Sequence, residues 1–425
     1  MIKHALIIGA GLSGLAAARL LLKRGIKVSL FDDKPESKLR FFQNFSYKCH
    51  ENLRCHFNDS QFSFSPCIDA VVLSPGVSLH HPLIAQAKER SIPILNEIEI
   101  ALRFKAGTKI IGITGSNGKS TTTMMLDSIL KSAGLKSVAG GNIGIPLCTL
   151  VLDSNFDYLI LELSSFQLET LKQIQLDCAI ILNITPNHLD RYDSFDCYQK
   201  AKFKIFDLVK AQGHIYCNNT LLSSIDSKAY PTKHFHFFNA QKIDKTWNFL
   251  KELSLNGMHN VENALAAAYA AKTYNISNES IVLGLNYFKP LEFRFQNIGT
   301  KRGINFINDS KATTVAAVEK ALSCTTSPVH LLVGGHDKGE NFAPLTAYSQ
   351  VVAFYVYGSS QEKIALELAD LRSQQFKDLD QAFCAAVAQA KPGTTVLLSP
   401  GCASYDQFED YVDRGKHFKR LVDNL

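Results

Sequence analysis

The sequence has few of the features that mark secreted, membrane-spanning or zinc-binding proteins. Its ten cysteines include no Cys-x-x-Cys pair and no cysteine–histidine spacing typical of zinc sites. We therefore expect reduced thiols in a cytoplasmic protein, and neither a disulfide framework nor a structural zinc site. No apolar run approaches the roughly 20 residues that a membrane-spanning helix needs, and no amino-terminal signal peptide is recognisable.

A concentration of charge of one sign is also missing. The net charge is +6, but the lysines and arginines are interspersed with acidic residues and form no basic stripe. This argues against a nucleic-acid-binding role and is compatible with a small anionic substrate. The chain is long enough for two to four domains, because it has 425 residues, of which 46% are hydrophobic.

The most informative stretch is a glycine-rich loop between a predicted strand, 109–113, and a predicted helix, 122–133. Its sequence is Gly115-Ser116-Asn117-Gly118-Lys119-Ser120-Thr121. In this setting, backbone amides and the helix amino terminus can hold phosphate groups. Lys119 can reach the outer phosphates, and the Ser120 hydroxyl can ligate Mg²⁺. The pattern Gly-x-x-Gly-Lys-Ser is a shortened form of the usual phosphate loop.

A second glycine motif, Gly9-x-Gly11-x-x-Gly14, follows the first predicted strand, 5–8, and the next strand ends at Asp32. The glycines permit a tight turn and the close approach of a diphosphate, and the acid can bind a ribose hydroxyl. The motif predicts a diphosphate-sized ligand without distinguishing NAD from other nucleotides.

Polar residues follow two further predicted strands. Glu162 ends the strand 158–162, at the position where phosphate-loop proteins have an acid that holds Mg²⁺. His188 lies after the strand 179–182, at the sheet edge where open α/β sheets bind ligands. It can serve as a metal ligand or as a hydrogen-bonding group.

An asparagine-rich turn, 256–260, precedes a predicted helix, 261–271, and either caps that helix or contacts a base edge. In the last third of the chain, four predicted strands end at glycine, hydroxyl, amine or carboxylate groups: 304–307, 329–333, 352–357 and 395–398. Such a row of strand ends predicts a ligand-binding edge.

Strands alternate with helices along the chain, which predicts an α/β protein with mainly parallel sheets. We expect three domains, each built on one such sheet. They are a Rossmann-like amino-terminal domain at 1–97, a P-loop ATP-binding central domain at 98–290 and a Rossmann-like carboxyl-terminal domain at 291–425.

Lys202 interrupts an otherwise apolar helix face. If 198–209 is helical, one face carries Tyr198, Lys202, Ile205, Phe206 and Val209. A lysine there can extend its ammonium to water. Beside the His188 loop, however, desolvation would lower the lysine pKa and favour the neutral amine. A neutral amine can take up CO₂ and become a carbamate, which is an oxygen ligand suited to Mg²⁺.

Together these motifs resemble the Mur ligases of peptidoglycan synthesis. The resembling segments cover nearly the whole chain: 115–121, 141–144, 162–168, 188–192, 308–313 and 399–408. Three segments are most similar to the family members that add D-glutamate: 161–169, 308–313 and 399–408. The phosphate loop by itself is shared with a wider group that includes folylpolyglutamate synthetases.

The resemblance implies an ATP-dependent ligase that adds D-glutamate to UDP-N-acetylmuramoyl-L-alanine in cytoplasmic cell-wall synthesis. A carboxylate needs activation before an amine can attack it, so the reaction would pass through an acyl phosphate and release ADP and phosphate. Two Mg²⁺ ions and lysines would neutralise the developing charge. The first domain would bind the UDP group rather than NAD, and the third would bring D-glutamate and close over the site. Neither nucleic acid nor membrane is an expected partner.

The resemblance also implies residue roles. UDP-sugar contacts are expected at Gly11, Leu12, Ser13, Gly14, Asp32, Ser74 and Asn142. ATP contacts are expected at Gly115, Ser116, Asn117, Gly118, Lys119, Ser120, Thr121, Asn260, Asn263, Arg294 and Asp309. D-Glutamate contacts are expected at Thr313, Lys338, Ser404 and Tyr411. Catalytic roles fall to Lys119, His188, Lys202 and Lys311, and metal ligation to Ser120, Glu162, His188 and the Lys202 carbamate.

The sequence departs from the family pattern at two positions and leaves alternatives open. Phe293 and Gln296 stand where the family usually has histidine and glutamate. An NAD-dependent oxidoreductase would use only the first glycine motif, and a nucleotide switch that hydrolyses ATP slowly would use only the phosphate loop. Within the ligases, another amino acid or a folate could be the substrate.

Overall fold

The computed structural model describes the chain with the exception of residues 1, 36–37, 39–40, 42–44, 46–49, 76, 79, 106, 153, 187–191, 244, 252–257, 290–291, 338 and 370–371. The chain divides into two compact units, Met1–Phe288 and Lys289–Leu425. In the first unit the described residues form two sheets, and in the second they form one. No helix among the described residues is both long and apolar enough to cross a membrane.

The first sheet has the strand order β3-β2-β1-β4-β5, and its neighbouring strands are parallel. Its strands are β1 His4–Ile8, β2 Lys27–Asp32, β3 Leu53–Phe57, β4 Ala70–Leu73 and β5 Ile94–Asn96. The associated helices are α1 Leu12–Lys23, α2 Pro82–Glu89 and α3 Glu97–Leu102. Ala5 and Leu6 of β1 are both fully buried, as expected for a strand that is covered on both faces.

The second sheet has the order β11-β10-β9-β6-β8-β7 and is also parallel. Its strands are β6 Lys109–Thr114, β7 Ser137–Gly141, β8 Tyr158–Glu162, β9 Leu176–Ile181, β10 Val209–Asn218 and β11 His234–Phe238. Its α-helices are α4 Lys119–Ser132, α5 Leu147–Leu150, α6 Ser165–Thr170, α7 Phe195–Phe203, α8 Met258–Thr273 and α9 Asn278–Tyr287. Short 3₁₀ helices lie at Lys204–Phe206, Asn219–Ser224, Ser227–Ala229, Ala240–Lys242 and Lys245–Lys251.

The third sheet has the order β12-β13-β17-β14-β15-β16. Only the β12–β13 pair among its described strand pairs is antiparallel. The strands are β12 Gln296–Lys301, β13 Ile304–Asn308, β14 Val329–Gly334, β15 Val351–Tyr357, β16 Ser373–Phe376 and β17 Thr395–Gly401. The helices are α10 Val315–Ser323, α11 Gln361–Leu368, α12 Leu379–Gln389 and α13 Tyr411–Asp423, with a 3₁₀ helix at Ala343–Ala347.

The two sheets of the first unit share one hydrophobic core. Ile98 and Ile100 of α3 belong to the same buried cluster as Leu147 and Cys148 of α5. The Glu97 carboxylate accepts a hydrogen bond from the Cys148 backbone amide across this contact. These buried contacts join the first and second sheets into one compact unit.

The predicted fold class is confirmed, because the chain forms three mainly parallel sheets with intervening helices. Two local predictions are wrong. The predicted helix 198–209 is instead α7 followed by the 3₁₀ helix, and Val209 begins β10. The helix predicted at 261–271 begins at Met258, so Asn260 lies inside α8 and does not cap it. In the first case the sheet sets the end of the helix, because Val209 pairs with Leu176 of β9.

Candidate active site

The loop at 115–118 joins β6 to α4 and requires glycine at two positions. Gly115 has a φ of +154° and Gly118 a φ of +84°, values that side-chain-bearing residues rarely adopt. A Cβ atom at Gly118 would also lie 2.3 Å from Oδ1 of Asn263. The glycines therefore let the loop turn tightly against α8 and lead into the first turn of α4, where helix amides can bind an anion.

Two lysines converge on this loop. Lys119 Nζ donates to the carbonyl oxygens of Gly115 and Ser116, both at 2.8 Å. Lys202 Nζ donates to the same Gly115 oxygen at 2.9 Å and lies 4.8 Å from the centre of the Tyr198 ring. Lys202 is 1% exposed. Burial, reinforced by the charge of Lys119, lowers its pKa well below the usual lysine range, while Glu162 opposes the shift.

A chain of polar side chains leads away from the loop. The Ser120 hydroxyl donates to one carboxylate oxygen of Glu162. The Asn142 amide donates to the other oxygen at 3.0 Å. Ser120 and Glu162 are each 3% exposed, so this row of side chains brings hard oxygen ligands together in a buried place. Serine hydroxyl and carboxylate oxygens are ligands that suit Mg²⁺.

At Asn142, the far end of this row of polar side chains, lies a cavity of about 500 Å³. Residues that follow strands of both sheets of the first unit line it, and Asn142 belongs both to the lining and to the polar chain. The other lining residues are Leu73, Ser74, Pro75, Val77, Ser78, His80, Asn96, Ser164, Phe166, Gln167 and Thr170. A cavity of this size, with apolar walls and several polar groups, is suited to a small-molecule substrate.

The residues predicted to bind a UDP-sugar fall into two groups. Ser74 and Asn142 line the cavity, whereas Gly11, Leu12, Ser13, Gly14 and Asp32 are not among its lining residues. The Asp32 carboxylate accepts from the Ala10 amide at 2.7 Å and from the Lys34 amide at 2.9 Å. Asp32 therefore holds the first glycine loop in place. The Ser74 hydroxyl donates to the Gly9 carbonyl at 2.8 Å and connects this loop to the cavity.

Of the other residues predicted in the first unit, Thr121 lies in the first turn of α4, Asn260 and Asn263 lie on α8, and His188 is outside the described residues. Asn263 is 5% exposed and faces Gly118 of the phosphate loop. Its amide donates to Oδ1 of Asn260 at 3.4 Å. Within the described part of the chain, no group of three or more histidine, cysteine, aspartate or glutamate side chains could hold a metal ion.

In the second unit, Asp309 lies just after β13 and is 8% exposed. Its carboxylate accepts from the Phe295 amide at 3.0 Å and from the Ser399 hydroxyl at 2.9 Å. Burial raises the pKa of Asp309 to about 7, although these hydrogen bonds and the charges of Arg294 and Arg414 act in the opposite direction. The group is therefore an acid whose ionisation is sensitive to nearby charge.

Of the residues predicted to contact D-glutamate, Thr313 and Ser404 follow the neighbouring parallel strands β13 and β17, and Tyr411 begins α13. Lys311 Nζ lies 3.9 Å from the centre of the Tyr411 ring. Ser404 is 3% exposed, and Thr313 is half-buried. Lys338 lies outside the described residues.

A residue absent from the sequence predictions holds two of these loops together. Arg414 is fully buried. Its guanidinium donates to the Ser310 hydroxyl at 3.0 Å, to the Ser310 carbonyl at 2.8 Å and to the Cys402 carbonyl at 3.1 Å. It thereby connects the loop after β13 with the loop after β17. An arginine four positions from a helix cap gave no sequence signal for this role.

Family models match three successive parts of the chain. They are described as Mur ligase MurD-like, N-terminal domain, at residues 3–96; Mur ligase middle domain, at 113–271; and Mur ligase, glutamate ligase domain, at 293–402. The UDP-N-acetylmuramoylalanine–D-glutamate ligase of Koribacter versatilis is 36% identical, and the alignment covers 99% of this chain and 97% of the relative. The chain belongs to the Mur ligase family.

Other comparisons agree with this membership. The UDP-N-acetylmuramoylalanine–D-glutamate ligase of Caldicellulosiruptor bescii is 36% identical over 100% of this chain and 98% of its own length. Among solved structures, the UDP-N-acetylmuramate-alanine ligase MurC of Thermotoga maritima matches with a TM-score of 0.63, at 16% identity over 100% of both chains. The MurF ligase of the same organism, in complex with ADP, matches with a TM-score of 0.60, at 16% identity, over 84% of this chain and 90% of its own. These structural matches support the Mur ligase fold.

The Mur ligase site contains a further residue without a predicted role. Asn183 follows β9 and contacts the phosphate loop through three hydrogen bonds. Its position after a strand that ends at the ligand edge is a weak signal, because many loop residues share it. Only the pairing of β9 with β6 shows which loop Asn183 contacts.

Proposed function

We propose that this Mur ligase adds D-glutamate to UDP-N-acetylmuramoyl-L-alanine, with ATP converted to ADP and phosphate. Two D-glutamate-ligase relatives match it over 97% and 98% of their own length. The observation that carries the proposal is the polar chain Ser120–Glu162–Asn142, which links a phosphate loop to a substrate-sized cavity. An enzyme that phosphorylates its substrate needs this proximity of nucleotide and acceptor.

The first step would activate the substrate carboxylate. One of its oxygens attacks the γ-phosphorus of ATP, the bond between that phosphorus and the β,γ-bridging oxygen breaks, and ADP leaves. The product is an acyl phosphate. Lys119 would turn from the carbonyls of Gly115 and Ser116 to the transferred phosphoryl group and neutralise its charge.

The second step would form the amide. The D-glutamate amine attacks the acyl carbon and gives a tetrahedral intermediate. The carbon–oxygen bond to the phosphate then breaks, phosphate leaves, and the nitrogen loses its extra protons to solvent or to a base. Lys311 and Ser404 supply a cation and a hydroxyl in the second unit, and a substrate with two carboxylates needs such partners.

We propose Mg²⁺ as the metal, held by Ser120 and Glu162, with His188 and a carbamate on Lys202 at a second position. Bound Mg²⁺ would neutralise phosphate charge. The fit rests on the buried oxygens of Ser120 and Glu162. For Lys202, almost complete burial beside Lys119 favours the neutral amine, which adds CO₂ to form the carbamate and releases one proton.

We also propose the domain division 1–97, 98–290 and 291–425, because each range contains one sheet. The amino-terminal range would bind the UDP-sugar, the central range ATP, and the last range D-glutamate. Asn260, Asn263, Arg294 and Asp309 are proposed ATP contacts. We place the reaction in the cytoplasm, where ATP and nucleotide-linked sugars are available.

The test is phosphate release from ATP in the presence of UDP-N-acetylmuramoyl-L-alanine, scanned over L- and D-amino acids. We expect release that depends on both co-substrates and is highest with D-glutamate. Release that needs no amino acid would favour a slow nucleotide hydrolase. Preference for another amino acid would leave the proposed ligase activity in place but would replace D-glutamate as the proposed substrate.

A further inference from the structure

Asn183 is brought to the phosphate loop by the sheet. β6 and β9 pair in parallel, with Thr114 opposite Ile181. Continuing this register by two residues places Asn183 opposite Ser116. The Ser116 amide donates to the Asn183 backbone carbonyl at 2.8 Å, so the pairing of the strands extends into the loop.

The Asn183 side chain adds a second, chemically specific contact. Its Oδ1 accepts from the Asn117 amide at 2.9 Å. Its Nδ2 donates to the Asn117 carbonyl at 3.1 Å. A carboxamide presents one acceptor and two donors on one planar group, which lets it bind the N–H and the C=O of a single residue. An ionised aspartate has no donor for the carbonyl, and alanine has neither group.

These contacts determine which loop amides face a ligand. The amides of Ser116 and Asn117 are both directed to Asn183. The phosphate-facing amides must therefore come from the later part of the loop and the first turn of α4. Holding Asn117 also keeps the chain between Gly115 and Gly118 in the conformation that their positive φ angles define.

The Ser116 side chain is held by contacts that do not involve Asn183. Its hydroxyl donates to the Thr185 carbonyl at 3.0 Å and lies 3.1 Å from the Tyr198 hydroxyl. Tyr198 in turn packs against the Lys202 ammonium. Among the described residues, Thr185 and Tyr198 thus hold the loop at Ser116, and the side chain of Asn183 holds it at Asn117.

We propose that Asn183 is a positioning residue that holds the phosphate loop in its nucleotide-binding conformation. The proposal deepens the function proposed above and rests on ATP binding at this loop. Without the side-chain contacts, a smaller fraction of molecules would have the competent loop, and apparent nucleotide affinity would fall with that fraction. Two ordinary hydrogen bonds correspond to a loss of about 5- to 150-fold.

The test measures binding of Mg²⁺-ADP by calorimetry to the full-length wild-type chain, Asn183→Ala and Asn183→Asp. Asn286→Ala, on the exposed surface of α9, is the matched control. Asn183→Ala should raise the Kd for Mg²⁺-ADP by about 5- to 150-fold. The Kd for UDP-N-acetylmuramoyl-L-alanine and the thermal midpoint should change little, and Asn286→Ala should match the wild type.

Asn183→Asp preserves the side-chain shape and tests the donor specifically. At pH 8 its carboxylate would face the Asn117 carbonyl and the bound phosphates, so binding should be weaker than in Asn183→Ala. As the pH falls, the protonated carboxyl can donate to that carbonyl. The Mg²⁺-ADP affinity of Asn183→Asp should then rise relative to that of Asn183→Ala. Loss of packing would not produce this change.

Two results would overturn the proposal: a folded Asn183→Ala chain that binds Mg²⁺-ADP within twofold of the wild type, or a ratio of the two variants' affinities that does not change with pH. If Asn183→Ala does not fold, the isosteric Asn183→Asp still provides the test through its pH dependence. Failure of the wild-type chain to bind Mg²⁺-ADP would overturn the proposed function itself, so the two failures are distinguishable.

Discussion

Replacing Glu97 by glutamine should stabilise the first unit at pH 8 but not at pH 5. Glu97 is 5% exposed, lies at the start of α3 and accepts a hydrogen bond from the Cys148 amide on α5. Burial raises its pKa from 4.5 to about 7. The folded chain therefore keeps this proton at pH values where the unfolded chain releases it.

The sign of the effect follows from the raised pKa of an acid. Below pH 4.5 both states are protonated and the buried group carries no charge penalty. As the pH rises from 4.5 to about 7, the folded state loses stability relative to the unfolded state, and above this range the loss is constant. At about 1.4 kcal/mol per pH unit, the interval from pH 4.5 to about 7 corresponds to a loss of about 3 kcal/mol in the free energy of unfolding.

Glutamine removes the ionisation and keeps an acceptor oxygen for the Cys148 amide. Burying its NH₂ group and losing the charge-assisted bond would cost about 1–2 kcal/mol. The net gain in unfolding free energy at pH 8 should therefore be about 1–2 kcal/mol. Near pH 5 the ionisation penalty is small, so the variant should be no more stable than the wild type.

Urea denaturation followed by tryptophan fluorescence is a suitable assay. The chain has one tryptophan, Trp247, which is 6% exposed and lies in the first unit. Glu89→Gln, an exposed change at the end of α2, is the control. A stability difference between Glu97→Gln and the wild type that is equal at pH 5 and pH 8 would refute the reasoning.

Four further predictions concern the proposed activity. Lys119→Ala should fold normally and release phosphate at least about 100-fold more slowly, because it removes the cation proposed to neutralise the transferred phosphoryl group. The wild-type chain should bind the UDP-sugar and not NAD, as measured by calorimetry. Lys338→Ala and Ser404→Ala should each raise the KM for D-glutamate about tenfold and leave the KM for ATP nearly unchanged. Lys202→Ala should lose activity, and acetate should restore part of it by replacing the carbamate oxygens.

Each of these four predictions would be contradicted by a specific result. Near-normal turnover of a folded Lys119→Ala chain would remove the phosphate-loop assignment. Tight NAD binding without UDP-sugar binding would reverse the assignment of the first domain. An unchanged D-glutamate KM in both Lys338→Ala and Ser404→Ala would count against their placement. A fully active Lys202→Ala chain would exclude a required carbamate.

Local sequence was sufficient where a few neighbouring residues determine the structure. The phosphate loop lies between a strand and a helix as predicted, because positive φ angles at Gly115 and Gly118 and the apolar strand before them are local properties. Burial of Lys202 was also predictable, since Tyr198 and Lys202 share a helix face over one turn. The carboxyl-terminal end of that helix was not predictable, because Val209 pairs with Leu176 in the sheet.

The sequence by itself predicted the alternation of strands and helices, the three mainly parallel sheets and the positions of the two glycine loops, but not the strands β3, β10, β11, β12 and β16. Tertiary structure alone decided which distant residues meet them. Asn183 reaches Asn117 because β9 is the neighbour of β6, and Arg414 reaches Ser310 because α13 packs beside β13. Asp32 likewise turned out to hold the amide of Ala10. Periodicity and propensity act over a few residues, whereas these contacts depend on sheet order, which long-range burial selects.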